Sequence, residues 1–443
     1  MPFIANTDEQ RKQMLEEIGL SADDLFGDIP PQLRCKPLDL PPWSSEQQVA
    51  GHLRMLAERN SGHLVSFLGG GFYDHYIPAA VDALVGRSEF YTAYTPYQPE
   101  MSQGTLQAIY EFQSAIARLT DMEVSNASLY DGGTALYEAV MMAMRVTRRN
   151  RVIVNETVSP IYRTMIRSYT SNLGIELAET GSTLGLVDRD AIGEQLDDDT
   201  AAVVVQNPNF FGCLDDFTDL AEMVHAAGAL LIVSCYPISL GLVKTPGAMG
   251  ADIVTGEGQS LGLPLSFGGP YLGFMATRKK YMRKMPGRIA GKTVDADGRE
   301  GYVLTLQARE QHIRREKAMS NICTNQGLCA LTAVVYLSLL GKEGLVELAK
   351  YCAEKASYAR ERLLEIPGCE MWFGKRHFFN EFVLRMPNRS DRVIRRLLEK
   401  GISAGFPLGR YYPEMEEGLL LAVTEKRTKE EIDLLAHTLE TSL

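Results

Sequence analysis

Between residues 105 and 275, short apolar runs rich in β-branched residues alternate with stretches of helical periodicity. That alternation leaves few architectures open. The strand candidates are Arg151–Asn155, Ala202–Gln206, Leu230–Ser234, Asp252–Thr255 and Leu272–Ala276. The helix candidates are Leu106–Leu119, Ala135–Arg148, Pro160–Ser171 and Asp216–Ala227. Near-continuous apolar strands separated by helices predict an α/β fold with a mostly parallel sheet covered on both faces. At 443 residues the chain exceeds what one core usually holds, so more than one domain is expected.

The flanks read differently. Residues 8–19 form an amphipathic helix with Met14, Leu15 and Ile18 on one face. A connector with Pro30-Pro31, Pro37 and Pro41-Pro42 follows, and such a segment builds no core of its own. A second helix is expected over Ser45–Arg59, capped by Ser44 or Ser45. Beyond residue 325 come helices Gln326–Leu340, Gly344–Leu364, Ser390–Lys400 and Lys429–Leu439, with strands Phe378–Leu384 and Leu419–Val423. The division expected is an N-terminal helical arm over 1–60, a large α/β domain over 61–325 and a small C-terminal α+β domain over 326–443.

Charge and composition narrow the function. A net charge of −11 argues against nucleic acid and against an anionic membrane surface as partners. No run approaches the ~18 consecutive apolar residues of a spanning helix. The acidic start Met1-Pro2-Phe3-Ile4-Ala5-Asn6-Thr7-Asp8-Glu9 is unlike a signal or transit peptide, so a bacterial cytoplasm is the expected location. The seven cysteines, at 35, 213, 235, 323, 329, 352 and 369, form no CxxC pair and fit a reducing compartment; Cys235, Cys329 and Cys352 read as buried hydrophobes. No histidine spacing suggests a metal site. HExxH and P-loop motifs are missing, which disfavours a zinc hydrolase and a P-loop NTPase.

Several segments carry possible chemistry. Residues 62–104 are rich in glycine and tyrosine, with Gly69-Gly70-Gly71, Tyr91-Thr92-Ala93-Tyr94 and Tyr97-Gln98-Pro99-Glu100, and read as a functional or contact loop. Tyr130-Asp131-Gly132-Gly133-Thr134 precedes a helix. It is either a phosphate cup at a helix N-terminus or a tight turn with Thr134 as N-cap. Gln206-Asn207-Pro208-Asn209 ends a strand, where α/β sheets bind ligands; its asparagines either bond a ring oxygen or shape a turn. The glycines around Lys292–Gly298 suggest a mobile loop. The charges of Arg309-Glu310-Gln311-His312-Ile313-Arg314-Arg315-Glu316 read as the solvated face of an exposed or interfacial helix.

Taken together, the chain resembles the glycine cleavage system P-protein, and within it subunit 1 (α) of the split, two-chain bacterial form. The resemblance rests on Tyr94-Thr95-Pro96-Tyr97-Gln98-Pro99-Glu100-Met101-Ser102-Gln103-Gly104, on Ser128-Leu129-Tyr130-Asp131-Gly132-Gly133-Thr134 and on Gln206-Asn207-Pro208-Asn209. It also rests on Arg309–Lys317, on Ser320-Asn321-Ile322-Cys323-Thr324-Asn325-Gln326 and on the opening Pro2-Phe3-Ile4-Ala5-Asn6-Thr7. The resemblance implies a fold type I, aspartate aminotransferase-like large domain of the kind that binds pyridoxal phosphate (PLP). It implies PLP-dependent decarboxylation of glycine, with transfer of the aminomethyl group to the lipoyl arm of the H-protein. The β subunit (subunit 2) would carry the PLP, and two positions of this chain fit that division. Ser260 stands where the Schiff-base lysine would be, and Ser234 where an aspartate would hold the pyridine nitrogen. Neither serine can do either task, so no covalent cofactor is expected on this chain. Gly132, Gly133, Thr134, Asn207 and Asn209 would then mark a vestigial cofactor pocket.

Fold type I active sites lie at a dimer interface, so a diverged subunit can still donate a loop. Tyr94 and Tyr97 are the candidates to line the partner's pocket; Glu100, Ser102 and Gln103 would order the loop or polarise the substrate, with Asn325 near the domain junction. An α2β2 assembly is expected. Two alternatives remain: a non-catalytic structural or regulatory partner of a PLP enzyme, and an independent PLP lyase using Lys244 or Lys292.

Overall fold

The computed structural model describes residues 5–35, 38–266 and 268–443. Pro2, Phe3 and Ile4 of the opening motif and Pro37 of the connector lie outside the described residues. The chain divides into two units, Met1–Gly62 and His63–Leu443.

The first unit holds helices α1 (Asp8–Ile18) and α2 (Glu46–Ala57). Each begins with a capping box: Thr7 with Gln10, and Ser45 rather than Ser44 with Gln48. Local sequence thus starts both helices. Neither has a buried residue, and between them Trp43 is 90 % exposed.

In the second unit, α3 (Gln103–Thr120) leads into β1 (Val124–Ser125), α4 (Gly132–Thr147), β2 (Arg151–Asn155), α5 (Pro160–Thr170), β3 (Glu176–Thr180) and β4 (Thr200–Asn207). Then follow α6 (Thr218–Ala226), β5 (Leu230–Cys235), β6 (Ile253–Glu257) and β7 (Gly273–Thr277). The seven strands form one sheet in the order β1-β7-β6-β5-β4-β2-β3. Pairings from β6 through β5, β4 and β2 to β3 are parallel, and β7 runs antiparallel to both β6 and β1. The apolar strand runs are buried on both faces. One face packs Val203, Val205, Leu231 and Val233 against Phe112 and Ile116 of α3. The other packs Val152, Val204 and Ile232 against Ala139 and Val140 of α4.

Around Lys292–Gly298, where the glycines suggested a mobile loop, the chain is part of a hairpin. The hairpin joins β8 (Ile289–Val294) and β9 (Glu300–Thr305), paired in register from Ile289↔Thr305 to Val294↔Glu300. Asp295 closes its turn by accepting from the amides of Asp297 and Arg299.

Helix α7 (Gly327–Leu364) breaks at Gly341, whose backbone sits at φ 61° and ψ −173°. Packing changes hands along it. Cys329, Ala330, Ala333 and Tyr336 join the large core, whereas Ala356, Ala359 and Leu363 join the core beneath a second, antiparallel sheet. That sheet includes β10 (Glu381–Arg385) and β11 (Gly418–Ala422), backed by α8 (Ser390–Glu399) and α9 (Lys429–Glu440). Its core also takes Phe67, from the segment in which Val65–Ser66 pair with Ile402–Ser403. By length and composition alone α7 is apolar enough to cross a membrane, and 44 % of its most apolar stretch is buried within the fold.

Candidate functional site

The carboxyl ends of β4, β5 and β6 and the N-terminus of α4 meet on one side of the large sheet. In this architecture that is where a ligand would sit. Here the space is filled by the chain itself. The Glu257 carboxylate accepts from the Gly132 amide at the start of α4 (2.8 Å). Its other oxygen accepts from the amides of Gln259 (2.9 Å) and Leu272 (3.0 Å). Burial pushes the Glu257 carboxyl up to about 7, against the pull of those amides. The cap of α4 is Asp131, which accepts from the Thr134 amide and hydroxyl, both at 2.8 Å; Thr134 is not the N-cap that its position in the motif suggested. Asp131 takes the cap because the helix starts at Gly132, three residues before the Ala135 start that a Thr134 cap would give.

Close packing also explains the glycines. A Cβ on Gly132 would lie 2.5 Å from the Tyr162 hydroxyl and 2.9 Å from Glu257 Cβ; one on Gly133 would lie 2.4 Å from Met165 Sδ. Tyr162 is buried, and burial together with Glu257 and Asp131 raises its hydroxyl well above the usual range. A cofactor phosphate at this helix end would have to displace a carboxylate, so the residues present do not fit PLP there.

The remaining pocket candidates lie at or beyond the ends of the same strands. Ser234 lies on β5 between Gln206 of β4 and Thr255 of β6, and Ser260 is buried with its hydroxyl unpartnered. Next to it, the Gln259 side chain bonds the Tyr73 backbone in both directions (3.0 and 3.1 Å). Asn207 closes on the backbone of Asp215, and Asn209 on Gly185, Phe211 and Cys213. Both asparagines therefore brace turns. Lys244 pairs with Asp216, and Lys292 pairs with Glu300 across the hairpin, so each is held in an exposed ion pair. Cys235, Cys329 and Cys352 are buried thiols raised by burial.

The second candidate region is the tyrosine-rich segment. It is well exposed: Tyr94 at 79 % and Tyr97 at 45 %. A cleft of about 190 Å³ brings Tyr94 and Thr95 together with Asn325 and Arg288. Asn325, at φ 54°, places its side-chain amide 2.8 Å from Ser128 Oγ. The Gln103 side chain ties the segment down by bonding Pro99 O (2.7 Å) and both backbone groups of Tyr302 on β9 (2.9 Å each). Ser102 precedes α3 without a side-chain capping bond, and Glu100 is exposed. The structure thus gathers Tyr94 and Asn325 at one cleft; Tyr97 does not line it but bonds Arg288, which does, and Gln103 is bound to the hairpin instead.

Sequence reasoning gave four residues here no buried role. Glu257, set between two glycines at the end of an apolar run, was the detectable one, because a carboxylate in a buried strand needs a partner. Tyr162 gave no signal. Arg288 and Glu310 form a buried pair, 1 % and 4 % exposed at their side chains. Glu310 is thus no part of a solvated face; within Arg309–Glu316 only 312–316 are exposed.

A family model described as "Glycine cleavage system P-protein" matches residues 1–439. A Geotalea uraniireducens protein named "Probable glycine dehydrogenase (decarboxylating) subunit 1" is 57 % identical over 444 residues, covering 100 % of both chains. A protein of the same name from Oleidesulfovibrio alaskensis is 55 % identical over 437 residues, covering 98 % of each. The crystal structure of a glycine decarboxylase (P-protein) of the glycine cleavage system, in inhibitor-bound form, superposes with a TM-score of 0.92 at 45 % identity over 100 % of both chains. A Lactobacillus brevis glutamate decarboxylase shares the fold at 14 % identity, with a TM-score of 0.69 over 93 % of this chain and 95 % of that one.

Proposed function

The chain belongs to the glycine cleavage system P-protein family, on the subunit 1 side of glycine dehydrogenase (decarboxylating), and from that premise we propose that it completes an active site whose PLP is carried by the second subunit. The fold is that of type I PLP enzymes. The family's reaction is PLP-dependent decarboxylation of glycine, and the aminomethyl group passes to the lipoyl group of the H-protein. The observation that carries the division of labour is the Glu257 carboxylate on the Gly132 amide, which occupies the anion-binding end of α4. The two serines in place of aspartate and lysine point the same way.

What this chain brings is the segment 91–104. Tyr94 and Tyr97 are exposed aromatics next to a cleft, suited to close over a small amino acid from across an interface and to exclude water from it. Gln103 holds their loop on the hairpin. Glu100 and Ser102 order the loop. An α2β2 complex would repeat this arrangement twice.

The isolated chain should be colourless in the visible aldimine band and inactive in glycine–bicarbonate exchange until the second subunit is added. Borohydride reduction of the complex should leave the pyridoxyl group on a second-subunit peptide. A pyridoxyl-lysine in this chain would overturn the division. The donated loop is tested by Tyr97→Phe with Glu100→Gln: full activity of the assembled complex would leave this chain a structural partner, whereas intact assembly with collapsed turnover supports the loop.

A further inference from the structure

Tyr97 sits on an exposed segment, yet beneath it lies Arg288, the largest fully buried side chain among the described residues. Arg288 Nη2 donates to the Tyr97 hydroxyl at 3.2 Å, and the guanidinium carbon is 5.2 Å from the ring centroid. The edge of His312 meets the same ring at 5.4 Å and 65°. Glu310 stands behind both: its carboxylate is 3.4 Å from Arg288 Nε and 3.5 Å from His312 Nδ1. We infer that Arg288, which lines the cleft, is a positioning residue for Tyr97, and that the buried Arg288–Glu310 pair orients that ring. The inference rests on the reading that the loop reaches the partner's active site.

Two further observations support it. First, the pair is a poor stabiliser. Arg288 Nε and both Glu310 oxygens have no hydrogen-bond partner. Burying two charges costs several kcal/mol per ion unless their bonds are completed, and well-packed apolar replacements of such pairs are often neutral or better. Fold stability does not explain why a chain would keep it. Second, the base of Arg288 is rigid. The Ala127 amide donates to Arg288 O at 2.8 Å, Asn126 Nδ2 to Pro286 O at 3.0 Å, and Arg309 Nη2 to Gly287 O at 2.7 Å. Gln113 of α3 bonds both backbone groups of Ala290, at 2.8 and 3.0 Å. A guanidinium fixed to the sheet side thus holds a ring on a segment with few restraints of its own. The motif Arg309–Glu316, which has no task in the donated loop itself, supplies Glu310 and His312.

The experiment is a double-mutant cycle in the assembled two-subunit complex, read by glycine–bicarbonate exchange. The variants are Tyr97→Ala, the charge-free replacement Arg288→Met with Glu310→Leu, and all three together. Assembly is checked by size. Each of the first two should lower kcat about ten- to a hundredfold, the scale of a misplaced reacting group. The triple variant should be no slower than Tyr97→Ala alone, because Arg288 acts only through that ring. Independent, multiplying losses, or a charge-free variant at wild-type rate beside a slowed Tyr97→Ala, overturn the inference and leave the donated loop standing. A Tyr97→Ala complex at wild-type rate removes the loop reading itself. If the charge-free variant does not assemble, Arg288→Lys serves: it keeps the charge, loses the planar donor, and should show a smaller loss with the same non-additivity.

Discussion

At the scale of single residues, the reading of Ser260 and Ser234 at the lysine and aspartate positions comes from the sequence, because both are placed by counting within a recognisable frame. The role of Glu257 is not legible there, because it comes from tertiary placement: the sequence shows a carboxylate between glycines and says nothing of the helix end that it meets. Its protonation carries a testable consequence. The buried carboxyl is raised from 4.5 to about 7, and Glu381, fully buried and bonded to the Gly70 amide and the Tyr73 hydroxyl, is raised to about 7 likewise. A raised carboxyl binds its proton more tightly in the folded state. Its contribution is therefore complete below pH 4.5 and is lost as pH rises through about 7. Unfolding free energy should fall across that window by up to about 3 kcal/mol for each group. Glu257→Gln should remove about half of that fall, and adding Glu381→Gln most of the rest, each with a penalty of about 1 kcal/mol for every backbone amide left without its acceptor. Denaturant unfolding of the variants at a series of pH values measures this, and wild-type slopes in both would refute the assignment.

At the scale of elements, the long periodic helices and the five core strands could be read from the chain to within a few residues, since burial on both faces writes itself as apolar runs. The hairpin of β8 and β9 could not. Gly291, Gly298 and the turn aspartates carry a loop composition, and the ladder is specified by pairing across the turn rather than by alternation within either strand. The gap read at 341–343 between two helices matches the break in α7. Gly341 occupies a backbone region that is essentially glycine's alone, and open space surrounds its missing Cβ. Gly341→Ala should therefore cost about 1–3 kcal/mol by backbone strain alone. Thermal unfolding checks it; an unchanged midpoint would mean that the break relaxes. Gln103 belongs to the same scale, because its amide joins the tyrosine segment to β9. Gln103→Ala should slow exchange in the complex about tenfold or more while leaving chain stability within about 1 kcal/mol. A stability loss with unchanged turnover would make that bridge purely structural.

At the scale of the whole molecule, the chain is divided into a part that makes its own core and a part that does not. Every buried hydrophobic among the described residues lies at or beyond Phe67, whereas Leu33, Leu38, Leu40 and Trp43 are 70–90 % exposed. The connector's prolines announced the absence of a core, but no periodicity in it could say what covers these side chains. Two capped helices flanking so much bare apolar surface are suited to dock on another chain, and membership of subunit 1 supplies one, the second subunit. The molecule offers its own reporter, since Trp43 and Trp372 are its only two tryptophans. With Trp372→Phe in place, all of this chain's indole emission comes from Trp43, at 90 % exposure, and the second subunit's own emission is subtracted from that of the complex. Adding the second subunit should shift that emission to the blue as the ring leaves water. Trp43→Ala should weaken assembly by about 2 kcal/mol or more, the size of a buried aromatic anchor, and so raise the dissociation constant about thirtyfold. Emission that stays red in a complex of full size, with an unchanged dissociation constant, would place the arm outside the subunit interface.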